Sequence, residues 1–256
     1  MKFIILGCGY SMGVPRSDGY FGSCNPKNKK NYRTRCSALI KTNKETVLID
    51  TSPDLRQQLI KNKIKQIDKV LYSHMHADQT HGINDLRVFF IKNKKAIPIY
   101  ADKLTRETLN ISFPYVFNNK NKSYPATLKL NPIKKIFYIK NGKKKTSIVS
   151  VKVKHGNVDS VCYIIDKRLA YISDVSDFNK KDYKYFKNLE YLIIDCLWFK
   201  YHPSHLNLEK SLMYINKFSP KKAILTNLHT DLDYNYLKKN LPKNIVPAYD
   251  GMSINL

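Results

Sequence analysis

The sequence predicts an α/β fold in which two β-sheets pack face to face with helices outside. Two observations carry this. Ten short apolar stretches rich in Val, Ile and Tyr recur between polar turns, at 3–6, 37–41, 47–50, 69–72, 97–100, 149–153, 161–165, 169–172, 191–194 and 223–225. Their length and β-branched content favour strands. Helical patterns are fewer, at 54–61, 83–91, 208–218 and 234–240, and the order is mixed rather than strictly βαβ. Such a layout leaves the loops along one edge of the sheets to carry function.

The elements have readable boundaries. Ser52-Pro53 opens the first helical pattern, and Asn207 stands where it can cap the helix beginning at Leu208. The least regular segment, 105–132, holds Pro114, Pro125 and Pro132 among several Asn and Lys, and reads as an insertion or lid. No internal repeat or linker-like tract divides the 256 residues, so one domain over 1–256 is expected.

Composition narrows the function classes. A chain 43% hydrophobic, 12% aromatic and 25% charged can bury a sizeable core and is neither disordered nor fibrous. The formal charge of +25 would concentrate phosphate-rich partners. It comes from 38 Lys and seven Arg spread along the chain, a pattern that compositional bias explains and that offers little bidentate readout of bases. The lysine clusters at 61–69, 92–95 and 143–145 read first as solvated faces. RNA is therefore a partner left open rather than favoured, as is a homodimer.

Cys8, Cys24, Cys36, Cys162 and Cys196 are odd in number and contain no CxxC pair, against a disulfide framework or a four-thiolate zinc site. A reducing, cytoplasmic setting is expected. The apolar run before Cys8 is too short for a signal-peptide core, and no run approaches a membrane helix, so no membrane partner is expected. Gly7, Gly9 and Gly13 do not spell a nucleotide-binding loop.

The seven histidines are the strongest signal: three in Ser73-His74-Met75-His76-Ala77-Asp78-Gln79-Thr80-His81-Gly82, then His155, His202, His205 and His229. His74 and His76, two apart at a strand end, would face one side through the pleat and form a two-ligand arm. Catalytic zinc commonly takes three protein ligands and leaves a fourth position for water. His155, after the strand at 149–153, can complete the set. Asp78 and the strand-end Asp174 add carboxylates. Isolated HxH pairs are common in structural roles; the added His and Asp at strand ends distinguish this one.

The blocks Gly7-Cys8-Gly9 to Val14-Pro15-Arg16, 47–50, His74-Met75-His76-Ala77-Asp78, Ser173-Asp174 and Tyr249-Asp250-Gly251-Met252 resemble, in order and spacing, the metallo-β-lactamase superfamily. Within it they are most similar to the branch containing phosphoribosyl cyclic phosphodiesterase and, more distantly, the transfer-RNA 3′-processing endonucleases. The resemblance implies a four-layer αββα sandwich with a metal at the sheet edge that activates a hydroxide as nucleophile. It maps the first metal site onto His74, His76 and His155, the bridging carboxylate onto Asp174 and a second-site ligand onto Asp78.

Two departures weaken the second site. Gln79 stands where the usual HxHxDH pattern has its last His, and Asn227 stands where a further ligand His is expected. Amide donors are weaker than imidazole there. One zinc is expected, with a second position weakly held by Mn²⁺ or Mg²⁺ or left vacant. His229, two residues beyond Asn227, is a candidate replacement ligand, with a substrate-side role as its alternative. His81 is turned away by about 200° at a helix start. Only Cys24 lies in the stretch where some members hold an extra structural zinc, so none is expected. The resemblance puts His205 near the leaving group as a general acid, against a plain loop hydrogen bond; His202 reads as structural.

The leading expectation is hydrolysis of a small or cyclic phosphodiester, with Asp78 and His205 as catalytic groups. Three alternatives differ in what they require. An RNA-processing nuclease would bind transfer RNA with a steep salt slope. A mononuclear-iron dioxygenase, similar to the persulfide dioxygenases of the superfamily, would hold iron and consume oxygen. A non-catalytic phosphate-ligand binder would bind without turnover.

Overall fold

The computed structural model describes residues 1–118 and 125–256. Strands β1 (Lys2–Gly7), β2 (Ser37–Lys41), β3 (Thr46–Ile49), β4 (Lys69–Leu71), β5 (Ile97–Ala101) and β6 (Leu128–Pro132) form the first sheet. Strands β7 (Ile136–Asn141), β8 (Lys144–His155), β9 (Val158–Ile165), β10 (Leu169–Ile172), β11 (Tyr191–Asp195), β12 (Lys222–Thr226) and β13 (Ile245–Pro247) form the second. The last strand, β14 (Ser253–Asn255), returns to the first sheet beside β1. Helices α1 (Leu55–Lys61), α2 (Ala77–Thr80), α3 (Arg87–Asn93), α4 (Lys103–Ser112), α5 (Pro114–Phe117), α6 (Leu208–Phe218) and α7 (Tyr234–Asn240) complete the chain.

Strand periodicity makes the layers. Phe3 and Ile5 of β1 enter the core between the sheets together with Tyr171 of β10 and Ile193 of β11. Their neighbours Ile4 and Leu6 face outward beneath α1 and α3, and Leu192 and Ile194 face outward beneath α6. Alternate side chains on a strand point to opposite faces, so a strand covered on both faces reads as a continuous apolar run. Each buried Ile or Leu contributes roughly 1.5–3 kcal/mol, and an aspartate at Ile193 would lose that term and bury an unpaired charge. The result is the αββα sandwich expected from sequence.

The outer helices follow the same logic. The Asn207 side chain accepts from Lys210 N at 3.0 Å and starts α6. Ser211, Tyr214, Ile215 and Phe218, at helical spacing, then turn onto the second sheet. Segment 105–132 departs from expectation. Its described part is regular: Asp102 caps α4 by accepting from Thr105 N at 2.9 Å, α5 follows, and β6 pairs in parallel with β5 at the sheet edge. The prolines misled because Pro114 sits in the first turn of α5, where a missing N–H costs nothing, and Pro132 ends an edge strand. The rest of that segment, 119–124, lies outside the described residues.

The two sheets bring the carboxyl ends of β3, β4, β10, β11 and β12 to one edge. β3 and β4 are parallel, as are β10, β11 and β12, so the segments leaving them emerge together. Asp50, the loop 73–76, Asp174, Asp195 and Asn227 all lie at or just past these ends.

Candidate metal centre

β4 stops at Leu71, so His74 and His76 sit in the loop beyond it rather than on the pleat, with His76 immediately before α2. Asp50 shapes this loop. Its buried carboxylate accepts from Ser73 N at 2.7 Å, a bond between the ends of β3 and β4 that the sequence does not announce. Gly82 lets the chain return, since a Cβ there would stand 1.9 Å from the carbonyl oxygen of Ser52.

The loop conformation directs two rings to one point. His74 Nε2 lies 2.9 Å from His76 Nδ1, and His155 Nε2, from the end of β8, lies 3.2 Å from the same atom. Four ligands at a zinc–nitrogen distance near 2.0–2.1 Å around a tetrahedral centre stand about 3.3 Å apart. The two measured separations are close to that spacing. These rings form a group that could hold a metal ion, and a second such group joins His155, Asp174 and His205.

Protonation suits ligation. His155 Nδ1 lies 2.7 Å from the carbonyl oxygen of Ser204, which can only accept, so Nδ1 carries the proton and Nε2 presents its lone pair. Burial pushes His74 down to about 3, and burial followed by the charge of His155 lowers His76, so both are neutral near pH 7. Burial alone would raise Asp174, but the imidazoles of His74, His155 and His205 outweigh it and hold the carboxyl below its usual range. Burial, then the neighbouring Asp174, lifts Asp78 to about 6.

The two amides are built into the carboxylate array. Gln79 Nε2 donates to Asp174 Oδ2 at 3.2 Å and to Asp78 Oδ2 at 3.3 Å, bridging the pair. Asn227 Nδ2 donates to Asp195 Oδ1 at 3.0 Å, and its backbone takes the left-handed conformation (φ 61°) that Asn tolerates well.

Asp195, the last residue of β11, is the partner that sequence reasoning missed. Its Oδ2 accepts from His205 Nδ1 at 2.8 Å. Both His205 and Asn227 donate to this carboxylate, so their own 3.0 Å approach is a contact between two donors sharing one acceptor. Burial works against charge on His205, yet Asp195 and then Asp174 outweigh it and raise the imidazole to about 9. The available signal was an acidic residue at the end of an otherwise apolar strand, Tyr191-Leu-Ile-Ile-Asp195.

Not every expected residue reaches the cluster. His229 is a correction: its ring packs between Tyr10 at 4.6 Å and Trp198 at 4.8 Å, its Nδ1 accepts from Asp231 N at 3.2 Å, and it belongs to neither ligand group. The left-handed turn at Asn227 redirects the chain before it. His81 also points away, its ring 5.3 Å from Phe113. His202 accepts from Ser204 N at 3.3 Å and stands 5.1 Å from the His205 ring. A cavity of about 710 Å³ between α1 and α3, lined by Leu59, Ile60, Val88 and Phe89, contains none of these groups.

Residues 45–227 match the family model of the β-lactamase superfamily domain. The chain belongs to this superfamily. A crystal structure described as a new diphosphatase from the PhnP family is 28% identical, covers 100% of this chain and 97% of its own, and superposes with a TM-score of 0.89. Zinc-bound PqqB from Methylobacterium extorquens, at 16% identity with 100% of both chains covered and a TM-score of 0.79, shares the fold. A curated relative from Porphyromonas gingivalis (strain ATCC BAA-308 / W83), named octanoyltransferase, is 31% identical over 98% of this chain and 51% of the relative. The chain thus spans about half the length of that curated relative. Among the described residues no helix is long and apolar enough to cross a membrane.

Proposed function

We propose that the chain, acting as one domain, is a metal-dependent phosphodiesterase that hydrolyses a small or cyclic phosphodiester. The convergence of His74 Nε2, His76 Nδ1 and His155 Nε2 beside Asp174 carries this reading. Three imidazoles with a neighbouring carboxylate are a donor set that suits Zn²⁺, with one ion expected per chain. Such an ion supplies Lewis acidity and a water of lowered pKa.

The chain's own groups supply the rest. His155 keeps its ring orientation through Ser204, and the bridged pair Asp78 and Asp174 can orient the attacking water. As the water oxygen bonds to phosphorus, one ester P–O bond breaks and the departing oxygen needs a proton. His205 is placed to give it, with Nδ1 tied to Asp195 and Nε2 left for the substrate. The diphosphatase relative, similar over the whole chain, supports phosphate chemistry.

Acyl transfer, suggested by the name of the longer curated relative, finds no thiol nucleophile here. All five cysteines are buried, and burial raises the thiols of Cys8, Cys36, Cys162 and Cys196 far from the thiolate, with Cys24 lifted to about 11. Free, buried thiols also fit a cytoplasmic protein. The test is a screen of bis(p-nitrophenyl) phosphate and 2′,3′-cyclic nucleotides with and without chelator. Chelator-sensitive turnover supports the reading; turnover of none of them, or turnover indifferent to chelation, removes it.

A further inference from the structure

The loop that carries His205 is closed at its base, where Leu197 N donates to Leu206 O at 2.9 Å and Leu208 N donates to Trp198 O at 2.8 Å. Trp198 therefore stands at the foot of the same short loop that holds His205 and whose Ser204 carbonyl anchors His155. Its indole is fixed on two sides. Nε1 donates to Asp231 Oδ2 at 2.7 Å, and the His229 ring lies against one face at 4.8 Å with an interplanar angle of 30°. His229 is itself held against Tyr10.

The ammonium of Lys200 lies over the indole, 5.2 Å from its centroid, while the buried cluster of Tyr10, Val14, Cys24 and Leu197 packs against the rest of the side chain. Lys200 is exposed and extends from the loop, so this cover can swing aside without disturbing the core. The indole is half-buried, edge-anchored and backed by a second ring. Such a surface is a rigid aromatic platform at the base of the loop that carries the proposed leaving-group acid, with a cation over the ring.

We propose that Trp198 is a stacking platform for the planar base of a nucleoside phosphodiester, with Lys200 moving from the ring to a phosphate of the substrate. This rests on the phosphodiesterase reading and narrows its substrate class. Base stacking on an aromatic side chain tolerates any base and adds affinity without hydrogen-bond readout. It also gives His229, which belongs to neither candidate ligand group, a substrate-side support role.

Trp198 is the chain's single tryptophan, so its emission reports directly on the platform. The intact, metal-replete protein is titrated with adenosine 5′-monophosphate and, separately, ribose 5-phosphate. Saturable quenching by the nucleotide alone is expected; equal responses to both, or none to the nucleotide, overturn the proposal. In kinetics, adenosine 2′,3′-cyclic phosphate should exceed the cyclic phosphate of methyl riboside by about tenfold in kcat/KM, carried by KM. Trp198→Leu should bring that ratio to within about twofold of one, and Trp198→Phe should retain most of it. A ratio unchanged in Trp198→Leu refutes the platform. If neither ester turns over while only the nucleotide quenches, the hydrolase reading fails and the platform stands.

Discussion

His155 donates through Nδ1 to the carbonyl oxygen of Ser204 at 2.7 Å, so one hydrogen bond both orients a candidate metal ligand and fixes the loop that presents His205. The hairpin tip after β8 makes this approach feasible. Gly156 has φ +60°, and a Cβ there would lie 2.8 Å from the Ser204 side chain.

Gly156→Ala should therefore push the loop away and release His155. Loss of an outer hydrogen bond to a ligand imidazole typically weakens metal binding about 10- to 100-fold. Chelator-competition titration checks this; unchanged metal affinity would show that the Ser204 contact orients nothing.

Asp195→Asn should lower kcat for alkoxide leaving groups by about 100-fold while leaving metal content and KM within about twofold. The defect should shrink for p-nitrophenyl esters, whose leaving group departs without a proton. An equal loss across both leaving groups would assign Asp195 a purely structural role.

Gln79→His with Asn227→His should raise the bound metal from about one to about two per chain, because imidazoles would replace the amides that now bridge Asp78 to Asp174 and hold Asp195. Elemental analysis of both proteins decides it. Two metals already present in the unmodified protein would show that the amides do not displace the second ion.

Asp250 gives a pH signature of stability away from the site. Its carboxylate accepts from Thr34 N at 2.7 Å and from Cys8 N at 3.1 Å, but burial dominates and raises it to about 6 from the ordinary 3.8. The folded protein thus binds this proton more tightly than the unfolded chain. Its contribution is fully present below about pH 4 and is lost as the pH rises through about 6, by roughly 3 kcal/mol at most. The stability difference between the unmodified protein and Asp250→Asn, from urea unfolding at pH 4 and pH 7, should shift by a comparable amount; a flat difference contradicts it.

Much of this was legible because apolar strands and clustered histidines are local signals. The ten predicted strands are all present, and the HxH loop, His155 and Asp174 assemble at one edge. What was hidden depends on distant pairing. β6, β7, β13 and β14 are the four edge strands, either polar-studded or only three residues long, and their partners define them. Asp195 gains meaning only when β11 brings it to His205, and His229 is removed from the cluster by a single left-handed residue, Asn227. Neither relation is written in residue spacing.

The central claim is that His74, His76 and His155 hold a catalytic metal, and elemental analysis of the purified protein beside His76→Ala, with phosphodiesterase turnover measured on both, tests it most directly. About one zinc per chain in the unmodified protein, with metal and turnover both lost in the variant, is the predicted result. A variant that keeps its turnover without metal would contradict it.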